Sequence, residues 1–162
     1  MEQAINTLWT RVIRDEDEMS VTIRQAHKEE IEWINARYSE VDFLSSDFDK
    51  EFIVVAEVDG KRAGLGRLVK IDEDSLELGG MLVFDGFRGL GIARLIVEFL
   101  LDHAKGKRVF CIPFQHLYKF YNGAGFIKCE NVDSAPEEVL KKFHWCRQTY
   151  EHEVLLLEQT VR

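Results

Sequence analysis

Hydrophobic positions change period several times along the 162-residue chain, and each change predicts an element. Ala4, Ile5, Leu8, Trp9, Val12 and Ile13 recur at helical spacing, which predicts an amphipathic helix over Met1–Arg14 that the acidic run Asp15–Glu18 stops. Val21–Arg24 reads as a short strand, and His27–Tyr38, with Ile31, Ile34 and Tyr38 on one stripe, as a helix. Residues 41–50 show no period and read as a loop. Glu51–Glu57 and Arg62–Ile71 are strand-like runs around an Asp59-Gly60 turn. After a turn over Asp72–Ser75 comes the strand Leu76–Val83, interrupted by Gly79-Gly80, where paired glycines mark a bulge or a close backbone approach. Ile92, Leu95, Ile96, Phe99 and Leu100 share a helix face, with Gly106 as a C-cap. Val109–Ile112 is a strand ending at Pro113, and Gln115–Asn122 a helix stopped by Gly123 and Gly125. Between strands at Ile127–Glu130 and Glu153–Gln159, Pro136 and the acids after it open a helix carrying Val139, Leu140 and Phe143.

The sum is one mixed α/β domain over residues 1–162, with a helical extension over 1–19 and a helical insertion over 134–147. The extension's stripe could cover a partner or a membrane surface; docking on the domain itself is the simpler reading. With 46% hydrophobic and 31% charged residues the composition is that of an ordinary globular chain. A net charge of −8 argues against sequence-independent nucleic-acid binding, which draws on many Lys/Arg–phosphate contacts. Cys111, Cys129 and Cys146 lack any CxxC spacing and fit buried thiols in a reducing cytoplasm. No secretory leader or membrane-length apolar run is evident, so the cytoplasm is the expected location and no membrane partner is expected. If the chain self-associates, a homodimer is the commonest closed form.

One segment carries a chemical signature. A strand that runs into the turn Arg88-Gly89-Leu90-Gly91-Ile92-Ala93 and then a helix is suited to holding phosphate. Glycines let the backbone curl toward the anion, N–H groups at the helix start face it, and Arg88 adds a full charge. The string is not a Walker loop, for GxxxxGK[ST] is missing, nor a dinucleotide fingerprint, because Arg94 stands where a small residue is needed. Arg88, Gly91 and Ala93 do fit [Q/R]-x-x-G-x-[G/A].

That string resembles the coenzyme A-binding motif of the GNAT acetyltransferases, and Phe120-Tyr121-Asn122-Gly123-Ala124-Gly125-Phe126 is similar to a second family segment. The resemblance implies a central, mostly antiparallel sheet with a splayed parallel pair, flanked by helices. It implies acetyl-CoA as co-substrate, with no metal, held by the backbone of Met81, Leu82 and Val83 and by Arg88, Gly89, Leu90, Gly91, Ile92 and Ala93. It also implies direct acetyl transfer to a small-molecule or peptide amine. Two departures stand out: Phe114 replaces a common asparagine, and a helix at Pro136–Cys146 replaces a hairpin.

Such a transfer must deprotonate an alkylammonium, whose pKa in water is about 10.4, and must protonate a departing thiolate. Glu77, on the strand before Gly79-Gly80, is similar in position to the glutamate some members use as a general base; otherwise it is an edge carboxylate facing solvent. Tyr121 matches the family's proton donor to sulfur; otherwise it is an aromatic core residue. Cys111 has nothing basic near it in sequence and reads as core. A non-catalytic acyl-CoA-binding module is the alternative from another class, and a nucleotide-binding domain is disfavoured by the missing phosphate-loop lysine.

Overall fold

The computed structural model describes residues 8–14 and 19–162. β1 (Leu8–Arg14) runs antiparallel to β2 (Met19–Gln25), with Trp9 opposite Ile23. The helix expected over Met1–Arg14, and with it the helical extension over 1–19, is therefore a strand from Leu8 onward. Residues 1–7 and the acidic run at 15–18 lie outside the described residues. The run Leu-Trp-Thr-Arg-Val-Ile-Arg is rich in aromatic and β-branched types, and pairing with β2 satisfies its backbone where an isolated short helix would be marginal. Trp9 also gains an edge-on contact with Phe99, their ring centroids 5.1 Å apart.

The other elements follow the sequence pattern closely: α1 (Ile31–Glu40), β3 (Glu51–Val58), β4 (Lys61–Lys70), β5 (Ser75–Val83), α2 (Ile92–His103), β6 (Arg108–Cys111), α3 (Tyr118–Gly123), β7 (Ile127–Lys128), α4 (Glu137–Thr149) and β8 (Leu157–Thr160). Among the described residues the sheet order is β1-β2-β3-β4-β5-β6-β8-β7. β5 and β6 pair in parallel, whereas β1–β2, β2–β3, β6–β8 and β7–β8 are antiparallel. The last strand begins later than expected because residues before it bond singly: Leu155 N–H donates to the Pro113 carbonyl, and Val154 bridges Phe114.

The described residues group into two compact units. The first holds the chain up to Arg67 and Gly80–Leu100. In it Ile34 and Tyr38 of α1 pack with Ile53, Val55 and Leu65 on one face of β3 and β4. On the opposite face α2 approaches closely over Gly66, where an added Cβ would lie 2.5 Å from Ile96 Cγ2. The start of α1 is fixed electrostatically. Glu30 is buried against Arg24 at 2.8 Å and Arg62 at 3.0 Å, and accepts the His27 N–H. Burial raises its pKa, but the Arg24 hydrogen bonds, the His27 N–H and the charges of Arg24 and Arg62 outweigh this and hold it down at about 2.

The second unit holds Leu68–Gly79 and Leu101–Arg162. Phe110, Ala135, Val139 and Leu156 form its core, so the helix between the last two strands buries the stripe that its sequence presents.

Candidate active site

In the first unit, β5 ends at Val83, and the Phe84 N–H donates to the Ala63 carbonyl at 2.9 Å. The chain then turns through Arg88 and Gly89 to Gly91, the last with φ of +79°, a conformation that favours glycine. A Cβ on Gly89 or Gly91 would meet nothing within 4 Å, so the turn's backbone borders open space. α2 starts at Ile92, and its first amide groups, which have no acceptor within the helix, lie at the same place. There Met81, Leu82, Val83, Phe87, Arg88, Gly89, Ile92 and Ala93 line a concavity of about 340 Å³. Seven of the nine residues named from sequence are thus brought together. Leu90 and Gly91 are outside the lining, and Phe87 joins it without having been anticipated. The Arg88 side chain is 70% exposed and, among the described residues, held only by Asp85 at 3.4 Å and the Val83 carbonyl, which leaves it available to an anion.

Just before this, β5 is kinked. Gly80 has φ of +59°, and its carbonyl accepts the Tyr38 hydroxyl at 2.8 Å. A Cβ there would lie 2.6 Å from Tyr38 Oη and 2.8 Å from Arg67 Nε, so only glycine fits. Arg67 spans the Tyr38 ring at 4.6 Å and donates to Ser46 Oγ and the Leu44 carbonyl, tying the 41–50 loop to the kink. The helical stripe marks Tyr38 as core; its link to Gly80 spans 42 residues and has no sequence signal.

The second unit gathers the two candidate acid–base groups around a thiol. β5 and β6 pair from Ser75↔Arg108 only as far as Leu78↔Cys111, although β5 continues to Val83. Glu77, on the paired part, is 4% exposed rather than at a solvent edge. Its carboxylate takes Lys142 of α4 at 2.8 Å through both oxygens. Tyr121 is 5% exposed and its hydroxyl is hydrogen-bonded to the Cys111 sulfur. Burial first, and the neighbouring Cys111 second, push the phenol well above its ordinary range, so it keeps its proton. Cys111 is fully buried, and burial with the charge of Glu77 pushes its thiol up, which makes it inert as a nucleophile. Lys142, like Phe87, was not anticipated from the sequence; it sits 65 positions from its partner. Phe114 forms an aromatic group with Tyr150, His116 and His152, at 5.3, 5.9 and 6.1 Å between centroids. It has no amide to offer a ligand.

Comparison with curated proteins finds no match. Among solved structures, N-acetylglutamate synthase from Neisseria gonorrhoeae, complexed with coenzyme A and N-acetyl-glutamate, is 21% identical with a TM-score of 0.68. That match covers 88% of this chain and 35% of the synthase, so the chain spans about a third of that protein's length. Rv2747 from Mycobacterium tuberculosis, solved in complex with CoA, is 20% identical with a TM-score of 0.69, covering 86% of this chain and 99% of that one. Arabidopsis thaliana Naa50, in complex with a bisubstrate analogue, is 12% identical with a TM-score of 0.63, over 86% and 98% of the two chains. At these identities the likeness is one of fold, a mixed sheet with one parallel pair flanked by helices. The family model described as the acetyltransferase (GNAT) family matches residues 13–126, more than half of the sequence. With the phosphate-type turn and the interrupted parallel pair inside that span, the chain belongs to the GNAT acetyltransferase family.

Proposed function

We propose that this chain transfers the acetyl group of acetyl-CoA to a primary amine by direct attack in a ternary complex. The observation that carries the reading is the concavity where the end of β5, Arg88 and the first turn of α2 converge. There the helix-start amides and Arg88 would hold the pyrophosphate, and the backbone of Met81 to Val83 would line the pantetheine arm. Amide donors at such a strand also stabilise a carbonyl oxygen as it gains charge, an effect of about 2.7–4 kcal/mol for a single donor elsewhere.

In the proposed step the amine nitrogen bonds to the thioester carbonyl carbon and the C–S bond breaks. The departing sulfur takes the Tyr121 proton. The proton lost by the amine passes to Glu77, directly or through water, and exchange with solvent restores both groups. Tyr121 suits its part because its phenol keeps its proton at neutral pH and lies beside a sulfur, that of Cys111. The acceptor is an amine of an amino acid or a peptide. Similarity in fold to proteins solved with N-acetyl-glutamate and with a CoA–peptide analogue supports that range.

The alternative is a non-catalytic acyl-CoA-binding module, and one observation favours it: both acid–base groups are already engaged, Glu77 by Lys142 and Tyr121 by Cys111. Acetyl-CoA-dependent thiol release across an amine panel separates the two. Under the enzymatic reading at least one amine supports turnover, and Tyr121→Phe lowers kcat by roughly 10²- to 10⁴-fold with little change in acetyl-CoA affinity. Turnover with no amine, together with tight acetyl-CoA binding, would establish the module instead.

A further inference from the structure

Arg88 borders a second space. A concavity of about 630 Å³ in the first unit shares Leu82, Val83 and Arg88 with the one at the turn. The rest of its wall is cationic: Arg37 of α1 and Lys61 and Arg62 at the start of β4 join Arg88, against only Glu40 and Asp85. Four cations facing two carboxylates invert the balance of a chain with 29 acidic and 21 basic residues.

The cations differ in how firmly they are held. Arg62 is fixed, its guanidinium 4.2 Å above the Trp33 ring and paired with buried Glu30 at 3.0 Å. Arg37 pairs with Glu40 through Nη2, whereas its Nε is buried and has no partner among the described residues. Lys61 is exposed and makes no ion pair among the described residues. The Lys61 ammonium therefore has no ion-pair partner among the described residues, and the Arg37 side chain, 34% exposed and paired with the exposed Glu40, lines the same wall beside the phosphate turn.

We propose that this second concavity takes the 3′-phosphate of the coenzyme's adenosine, with Arg37 and Lys61 as its donors; the inference rests on the cofactor reading above. Coenzyme A carries a pyrophosphate and, separately, a 3′-phosphomonoester that bears close to two charges at neutral pH. The turn provides amide dipoles and a single cation, which suit the pyrophosphate alone. The phosphomonoester needs further cations within a nucleotide's reach, and those of the adjoining concavity meet that demand.

The test is isothermal titration of acetyl-CoA and acetyl-3′-dephospho-CoA, at constant ionic strength, into the parent protein and into an Arg37→Gln/Lys61→Gln variant. Lys61 is exposed and Arg37 is 34% exposed, and glutamine keeps the polar stem of each, so the variant is expected to fold. The parent should prefer acetyl-CoA by about 10- to 100-fold, less than two buried charge-assisted contacts would give because this wall is open to solvent. The variant should narrow the preference to about threefold by weakening acetyl-CoA while leaving the dephospho form alone. An unchanged preference in the variant overturns the proposal, as does a parent that binds both forms equally; the cofactor reading survives in either case. If neither form binds the parent, the cofactor reading falls and the subsite with it. If the variant instead raises KM only for carboxylate-bearing amines, the pocket serves the acceptor and the proposal is wrong.

Discussion

The ion pair between Glu77 and Lys142 should couple the strand carrying the candidate base to the helix between the last two strands. Glu77 Oε1 and Oε2 each lie 2.8 Å from Lys142 Nζ, with side-chain exposures of 6% for the acid and 32% for the lysine. Exposed pairs contribute about 0–1 kcal/mol, and removing one partner of a buried pair costs about 3–5 kcal/mol. One end here is buried and the other is a third exposed, so the expectation falls between these limits. Lys142→Met should destabilise the protein by about 1.5–3 kcal/mol, because Glu77 then stays buried without its cation. Glu77→Gln should cost less, since Lys142 can turn its ammonium to water. In the double variant much of the loss should return, giving a coupling energy of about 1.5–2.5 kcal/mol. The assay is urea unfolding of the four proteins, repeated at low and high salt. High salt should abolish an exposed pair such as Lys70–Glu73, with exposures of 60% and 89%, but only trim the Glu77 coupling. A coupling energy under about 0.5 kcal/mol would refute the reasoning, for the contact would then hold nothing together.

Two further predictions concern the first unit. Gly91→Val should leave a folded protein, because a Cβ there meets nothing within 4 Å, at a strain cost of about 1–2 kcal/mol for the φ of +79°. It should weaken acetyl-CoA binding by tenfold or more, about 1.4 kcal/mol, and unchanged affinity by titration would place the phosphates elsewhere. Glu30, held at about 2 from a usual 4.5, should add stability that is fully present above pH 4.5 and is lost as pH falls toward 2. Urea midpoints measured across that window should drop more steeply for the parent than for Glu30→Gln; parallel profiles would dismiss the carboxylate's contribution.

What could be read in the sequence was whatever the chain encodes locally. The phosphate-type turn follows from Gly89 and Gly91 beside Arg88, and it lies between a strand and a helix as expected. The hairpin at Asp59-Gly60 and the helix opened by Pro136 follow from turn and cap chemistry in the same way. The failure at the N-terminus has the same root. Leu8–Arg14 can be given a helical stripe or a strand composition, and the choice was made by pairing with β2, which no local pattern records.

Side-chain chemistry depends on the opposite kind of information. Glu77 looks like an edge carboxylate until α4 brings Lys142 to it, and Tyr121 has its hydroxyl on Cys111 only because α3 and β6 fold together. The kink at Gly80 is suggested by two adjacent glycines, yet its cause, Tyr38 and Arg67 crowding the Cα, lies 42 and 13 residues away. The cationic concavity is the extreme case. Arg37 arrives on a helix, Lys61 and Arg62 on a hairpin, and Arg88 on the turn, so no segment of the chain contains the site. A family's shared step can therefore be legible in one short string, here the backbone that would hold pyrophosphate. The features that distinguish members, which anion a wall prefers and which carboxylate keeps a cation, arise from contacts between distant segments. That division explains why the cofactor class could be named from residues 88–93, whereas the acceptor must be found by assay.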